Sequence, residues 1–216
     1  MTDFFLQRLY SAASAQGEIF HNEIRPLIID LRKGLNSTVL VYGSNGSGKT
    51  YTMVGTEGDP GIIPLSIREL FSKQVGISNL MPEGKGAFIE TTMQNVNISL
   101  VEVFSNRAWD LVDSTKREIA FNEDIENFSP IDKLAHLPVN SIEHFDTQFK
   151  AIWNDRVVGG RCGGSQVGLR NDQTNRSHAI LMIKVDFRCG EQEFRYAPFT
   201  SQPIFGSSNS IVDCTL

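Results

Sequence analysis

Cysteine is scarce. The 216 residues hold only Cys162, Cys189 and Cys214, an odd number with no C-x-x-C pair. Neither a disulfide framework nor a cysteine-based zinc site is therefore expected, and a reduced, intracellular chain is the better reading. Charge of one sign is also lacking. The balance of 25 acidic against 20 basic residues leaves a net charge of −5. That gives no general attraction for nucleic acid or anionic lipid, so neither nucleic acid nor a membrane is an expected partner. The start, Met1-Thr2-Asp3-Phe4-Phe5, has no basic region followed by an apolar run, as a signal peptide would. Apolar runs elsewhere are too short to span a bilayer. Internal repeats are absent. What remains, 40% hydrophobic and 21% charged residues, is ordinary for a globular protein, and the length suits one α/β domain with a sizeable core.

One stretch organises the chain. Thr38-Val39-Leu40-Val41-Tyr42 reads as an apolar, β-branched strand, and it runs straight into Gly43-Ser44-Asn45-Gly46-Ser47-Gly48-Lys49-Thr50. This is the G-x-x-x-x-G-K-[ST] phosphate-binding pattern with a strand before it and a helix after it. The glycines let backbone N–H groups turn inward around phosphates, Lys49 reaches the β- and γ-phosphates, and the Thr50 hydroxyl takes a Mg²⁺ position. A flexible Gly/Ser connection is the bland alternative, since the short pattern recurs by chance. The preceding strand favours a nucleoside triphosphate site.

Around that loop the apolar spacing gives coarse structure. Ile19, Phe20, Ile24, Leu27, Ile28, Leu31 and Leu35 share one helical face, with Gly34 marking the end and Pro26 a kink. Tyr51-Thr52-Met53 begin a helix that the glycines and proline of 54–61 interrupt as a surface loop. A second amphipathic helix is predicted from about Pro64, then a loop over 76–86. Strands are expected over 98–104 and 179–187, with 87–92 as another candidate. The stretch 105–140 reads as hairpins and loops. Ser141 is a plausible N-cap for a helix carrying Ile142, Phe145, Phe149 and Ile152. The glycines between 159 and 164 read as a loop, and 189–210 has no strong period.

Triphosphate chemistry also needs a Mg²⁺-coordinating acid at a strand end and groups that orient the attacking water. Asp213, in Ile211-Val212-Asp213, is the candidate acid. Asn171-Asp172-Gln173-Thr174-Asn175-Arg176-Ser177-His178 is a dense polar run directly before a strand, and on the bland reading a solvated loop. Here the residues resemble a known family, the kinesin motor domains. Tyr42 to Met53, YGSNGSGKTYTM, is close to the kinesin P-loop signature, and its Thr-Tyr-Thr-Met tail is more specific than the phosphate loop alone. Gly61-Ile62-Ile63-Pro64, the helix with Arg25-Pro26-Leu27, and the strand bearing Glu102 are similar to family segments in the family's order. Asn171 to His178 resembles the switch I pattern N-x-x-S-S-R-S-H at Asn171, Arg176, Ser177 and His178.

The resemblance implies an α/β P-loop NTPase fold of the kinesin-motor type, a central mixed β-sheet flanked by helices. It implies ATP over Gly43, Ser44, Asn45, Gly46, Ser47, Gly48, Lys49 and Thr50, with Tyr51 near the adenine, and Mg²⁺ at Thr50 and Asp213. Catalytic roles would fall to Lys49, Asn171, Thr174 and Arg176, with Arg176 as the switch I arginine that senses the γ-phosphate. The implied partner is the microtubule and its tubulin, and the implied place the cytoplasmic cytoskeleton. Residues 1–216 read as a partial, incomplete motor domain, expected to lack the family's first strand and everything after the start of switch II. Switch I also departs from the family. Thr174 keeps a hydroxyl where the family has serine, and Asn175 does not. Losing one preorganised transition-state group costs about 2.7–4 kcal/mol. Two rivals follow: a hydrolysis-deficient pseudo-motor or fragment acting as a binding or regulatory module, and an unrelated P-loop phosphotransferase with its own acceptor pocket.

Overall fold

The computed structural model describes residues 8–32, 34–44, 46–72, 91–104, 107–119, 133–156, 177–189, 192–199 and 212–215. The expected first helix runs as α1 (Gln16–Ile19), a π-helical turn over Phe20–Ile24, and α2 (Arg25–Arg32). The kink predicted at Pro26 takes a specific form. Proline has no N–H to donate, and just ahead of it the Arg25 N–H reaches back to the Phe20 carbonyl, five residues away. The Asn22 carbonyl, which an α-helix would pair with the nitrogen of residue 26, accepts from Arg8 Nη1 at 3.1 Å. Gly34 ends the helix as expected. Its φ is 90°. Gly34 N–H donates to Leu31 O at 2.9 Å and Leu35 N–H to Asp30 O at 3.0 Å, the paired bonds of a Schellman cap. Leu35, assigned by spacing to the apolar face, is 56% exposed because it follows the left-handed residue.

β1 (Leu40–Val41) is shorter than the expected 38–42. α3 (Lys49–Met53) follows the phosphate loop, and α4 (Ile62–Phe71) begins two residues ahead of Pro64. That start is permitted because N–H groups in a helix's first turn have no intrahelical acceptor. β2 (Thr91–Phe104) extends the predicted 98–104 strand backwards, so Thr91 and Thr92 belong to it and not to a separate strand. The stretch expected as hairpins supplies β3 (Arg107–Asp110), β4 (Glu118–Ile119) and β5 (Leu137–Val139). α5 (Ile142–Asn154) is capped as predicted, with Ser141 Oγ accepting from His144 N–H at 3.1 Å. β6 (His178–Cys189), β7 (Gln192–Phe199) and β8 (Val212–Thr215) complete the sheet.

The strand order is β1-β8-β6-β2-β3-β4, with β5 on β2 and β7 on β6. Among the described strands only β1 and β8 pair in parallel and the other ladders are antiparallel, so the sheet is mixed as expected. β2 and β6 are its spine, paired from Thr91↔Cys189 to Val103↔His178 with one register shift between Met93 and Asn95. Their side chains alternate between faces. Val96, Ile98 and Leu100 of β2 and Leu181, Ile183, Val185 and Phe187 of β6 pack with the helices in the main core. Val101 and Met182 join Ala108 and Leu134 in a smaller cluster on the opposite face. No described helix is long and apolar enough to cross a membrane.

Candidate functional site: the phosphate loop and its sheet end

The loop after β1 is shaped by its glycines. Gly46 and Gly48 have φ of 77° and 90°, left-handed values that residues with a Cβ adopt only under strain. Gly43 sits tightly: a Cβ there would lie 2.5 Å from Ser47 Oγ, which can rotate aside, and 3.2 Å from Ser47 Cβ. The loop closes on itself through Ser47 N–H to Ser44 O at 3.2 Å, and α3 starts with Thr52 N–H on Gly48 O at 2.8 Å. Lys49 turns into this ring. It is 6% exposed, and Nζ donates to the carbonyls of Gly43 and Ser44, each at 2.8 Å. An ammonium has three donors, and these two carbonyls are the described partners of the Lys49 group. Met53, fully buried, pins the far end of α3 in the core. Asn45 lies outside the described residues.

Asp213 sits on the neighbouring strand. β8 runs parallel to β1 with Leu40↔Asp213 and Val41↔Cys214, which places the candidate acid beside the root of the loop. Thr50, on α3, is half-buried. The Asp213 side chain lies outside the described residues; a threonine hydroxyl and a carboxylate are donors of the kind that Mg²⁺ takes together with phosphate oxygens and water. The glycine ring around a buried ammonium suits a triphosphate in the same way.

Tyr51 follows Thr50 and is 49% exposed. Its hydroxyl donates to the Asp59 carboxylate of the 54–61 loop, and that bond holds the phenol above its ordinary pKa of 10.0. The Tyr51 carbonyl accepts from Gln16 Nε2 at 2.5 Å, so buried Gln16 ties α1 to α3. The 54–61 loop is a tight hairpin, with Gly55 bridging Pro60, and Lys150 Nζ of α5 reaches Glu57 at 3.0 Å.

With this geometry in view, comparison with known proteins is decisive. A family model described as "Kinesin motor domain" matches residues 1–213. The chain belongs to the kinesin motor domain family. Kinesin-like protein KIN-10C of Oryza sativa subsp. japonica is 34% identical over 180 residues, covering 83% of this chain and 27% of the relative. Kinesin-like protein KIF22 of Rattus norvegicus is 30% identical over 190 residues, covering 88% and 26% respectively. The chain thus spans about a quarter of the length of these curated relatives. A solved structure described as "Structure of a fast kinesin: Implications for ATPase mechanism and interactions with microtubules" superposes with a TM-score of 0.69 at 22% identity. It covers 98% of this chain and 53% of that one, a likeness of fold.

Of the residues that resemble the switch I pattern, Asn171, Thr174, Asn175 and Arg176 lie outside the described residues. Ser177 and His178, which follow them, are described. Ser177 Oγ donates to Glu102 Oε1 at 2.8 Å and accepts from an Arg156 Nη at 2.5 Å, while Arg156 Nε donates to the same Glu102 oxygen at 3.0 Å. All three residues are buried. The strand directions place this cluster at the loop's end of the sheet. β8 runs with β1, β6 pairs against β8 with His178↔Thr215, and β2 pairs against β6 with Val103↔His178. Two strand spacings, about 10 Å, separate the start of β6 from the level of Tyr42. The sequence reading noted Glu102 and Ser177 only as motif matches and missed Gln16 and Arg156 altogether. The partners are 54 residues apart for Arg156–Glu102 and 35 for Gln16–Tyr51, distances at which no local pattern gives a signal.

Proposed function

We propose that this chain binds ATP with Mg²⁺ over Gly43–Thr50 and belongs to a microtubule motor in which hydrolysis is coupled to track binding on the cytoskeleton. The observation that carries the reading is Lys49, a buried ammonium held by two loop carbonyls inside a glycine ring at the end of β1. Lys49 would draw in the β- and γ-phosphate oxygens, Thr50 and Asp213 would hold the metal, and Tyr51 would flank the base. Bound Mg²⁺ supplies charge neutralisation of the triphosphate. Asn171, Thr174 and Arg176 would orient the attacking water and sense the terminal phosphate, as the family resemblance implies. Residues 1–216 are then the nucleotide-binding part of a motor domain.

The test is titration of the chain with a fluorescent ATP analogue with and without Mg²⁺, followed by turnover with and without microtubules. Lys49→Ala is expected to weaken nucleotide binding by about tenfold to a hundredfold, the range for losing one hydrogen bond from a charged donor. Binding that ignores both Mg²⁺ and Lys49 refutes the site. Asn175, standing where the family has a serine, favours a second reading, a pseudo-motor that binds without hydrolysing. Mg²⁺-dependent binding with no turnover on microtubules selects it.

A further inference from the structure

Arg156 and Ser177 flank a stretch of twenty residues, 157–176, which contains the switch I positions Asn171, Thr174 and Arg176. Arg156 follows the end of α5 by two residues, and Ser177 immediately precedes β6. Both bond to one oxygen of one carboxylate, Glu102 Oε1, at 3.0 and 2.8 Å, and to each other at 2.5 Å. The two ends of that stretch therefore meet at a single point on β2. Glu102 is fully buried, Ser177 likewise, and Arg156 is 4% exposed with its guanidinium stacked 4.9 Å over the Trp153 ring. The polar logic is closed. The serine hydroxyl spends its proton on the carboxylate and offers its lone pair to the guanidinium, and the guanidinium charge is met by Glu102.

We propose that Glu102, Arg156 and Ser177 are positioning residues that fix both ends of 157–176 against β2, and that nucleotide turnover depends on this tether while nucleotide binding at Gly43–Thr50 does not. The turnover clause rests on the ATPase reading above; the tether itself does not. A pair of charged hydrogen bonds buried away from water is a stiff attachment. Its place puts the attachment at the same end of the sheet as the phosphates that the loop would hold. Ser177 directly follows Arg176, so a shift of the tether is passed to that arginine through a single peptide unit, whose Cα–Cα span is fixed at about 3.8 Å.

The test uses the full chain and three variants, Ser177→Ala, Arg156→Lys and the double variant, with Ile67→Val of α4 as a core control. Lysine keeps the charge opposite Glu102 but lacks the fork that reaches Ser177 at the same time. Each single variant is expected to lower kcat by about tenfold to a hundredfold with the affinity for ATP analogue within a factor of two, the loss of one hydrogen bond to a charged group. The double variant is expected to fall no further than the worse single one, because both act through one contact. Ile67→Val is expected to lower the melting temperature without lowering kcat. Unchanged kcat in both single variants overturns the proposal and leaves the ATPase reading standing, as does additive loss in the double variant or a fall in kcat for Ile67→Val that tracks its melting temperature. If the unaltered chain shows no turnover, the ATPase reading falls, and hydrogen exchange decides the tether. Faster exchange in 157–176 for Ser177→Ala, with β2 and β6 unchanged, supports it. Equal loosening of β2 and β6, or no change in 157–176, overturns it. Should Arg156→Lys fail to fold, Ser177→Ala, which removes a neutral hydroxyl, carries the same decision.

Discussion

Gly61 makes the sharpest stability test of how the phosphate loop is held. It precedes α4, with φ −79° and ψ −172°, an ordinary extended conformation that any residue adopts. Its requirement for glycine is therefore one of space. A Cβ at residue 61 would lie 2.6 Å from the carbonyl carbon and oxygen of Met53 and 2.7 Å from the Gly55 nitrogen, all backbone atoms that cannot rotate aside. Relief would need a shift approaching 1 Å between the end of α3 and the start of α4, and Met53 is fully buried, which blocks outward movement. Overpacking of this kind costs about 1–3 kcal/mol. At about 2–4 °C per kcal/mol for a chain of this size, Gly61→Ala should lower Tm by about 2–12 °C. Gly17 is the internal control. It lies within α1 and a Cβ there meets nothing within 4 Å. Gly17→Ala should raise stability by about 0.5–1 kcal/mol through helix propensity. Denaturant unfolding with matched m values is the assay. A Gly61→Ala midpoint at or above that of the unaltered protein, or an equal fall for Gly17→Ala, refutes the reasoning. The displacement also has a functional echo. α3 is five residues long, so Met53 lies only about 6 Å along the helix from Lys49, and nucleotide affinity should drop with stability.

Two further expectations concern the elements around the site. Ser141→Ala removes the acceptor for His144 N–H and should cost about 1 kcal/mol in denaturant unfolding, whereas Ser141→Asp should keep stability within a few tenths; equal losses would sink the capping account. Glu57 is held below its ordinary pKa of 4.5, first by the hydrogen bond from Lys150. A depressed folded-state value means that the pair's contribution is present above the ordinary carboxylate pKa and disappears as pH falls through the lowered one. The stability gap between the unaltered chain and Lys150→Met should therefore be small at neutral pH, shrink below about pH 4.5 and fade in high salt, since both side chains are largely exposed. A gap that persists unchanged at pH 3 contradicts it.

What the sequence disclosed depended on range. Local rules read the buried face Ile24-Ile28-Leu31, the Gly34 stop, the Ser141 cap and the break at 54–61 as a surface loop, which the structure closes into a hairpin, because each is decided within a turn or two of chain. Pro26 announced a kink but not its remedy. A five-residue hydrogen bond from Arg25 and a donor from Arg8, fourteen residues away from Asn22, both depend on packing. β1 proved shorter than its apolar run because the described pairing with β8 covers only Leu40 and Val41, and Tyr42 is 86% exposed. The phosphate loop was legible because its glycines, lysine and threonine are consecutive. The Glu102–Arg156–Ser177 cluster was not, since it is assembled from β2, the end of α5 and the start of β6.

Among the described residues two buried cations, Lys49 and Arg156, lie near the same end of the sheet, and their surroundings differ. Arg156 is neutralised by a full carboxylate at 3.0 Å, and Ser177 completes its fork. A further anion approaching it would meet a pair with little net charge and would have to compete with Glu102. Among the described residues, Lys49 Nζ bonds only to the carbonyls of Gly43 and Ser44, neutral groups that satisfy hydrogen bonds without cancelling charge. At an effective dielectric near 20, a unit anion placed about 4 Å from such an ammonium has a Coulomb attraction of about 4 kcal/mol, of which desolvation of the two charges leaves only part as net binding. Burial alone would make both residues look structural. Among the described residues a countercharge stands at Arg156 and not at Lys49, which fits the arginine to holding the chain and the lysine to the phosphate proposed for it.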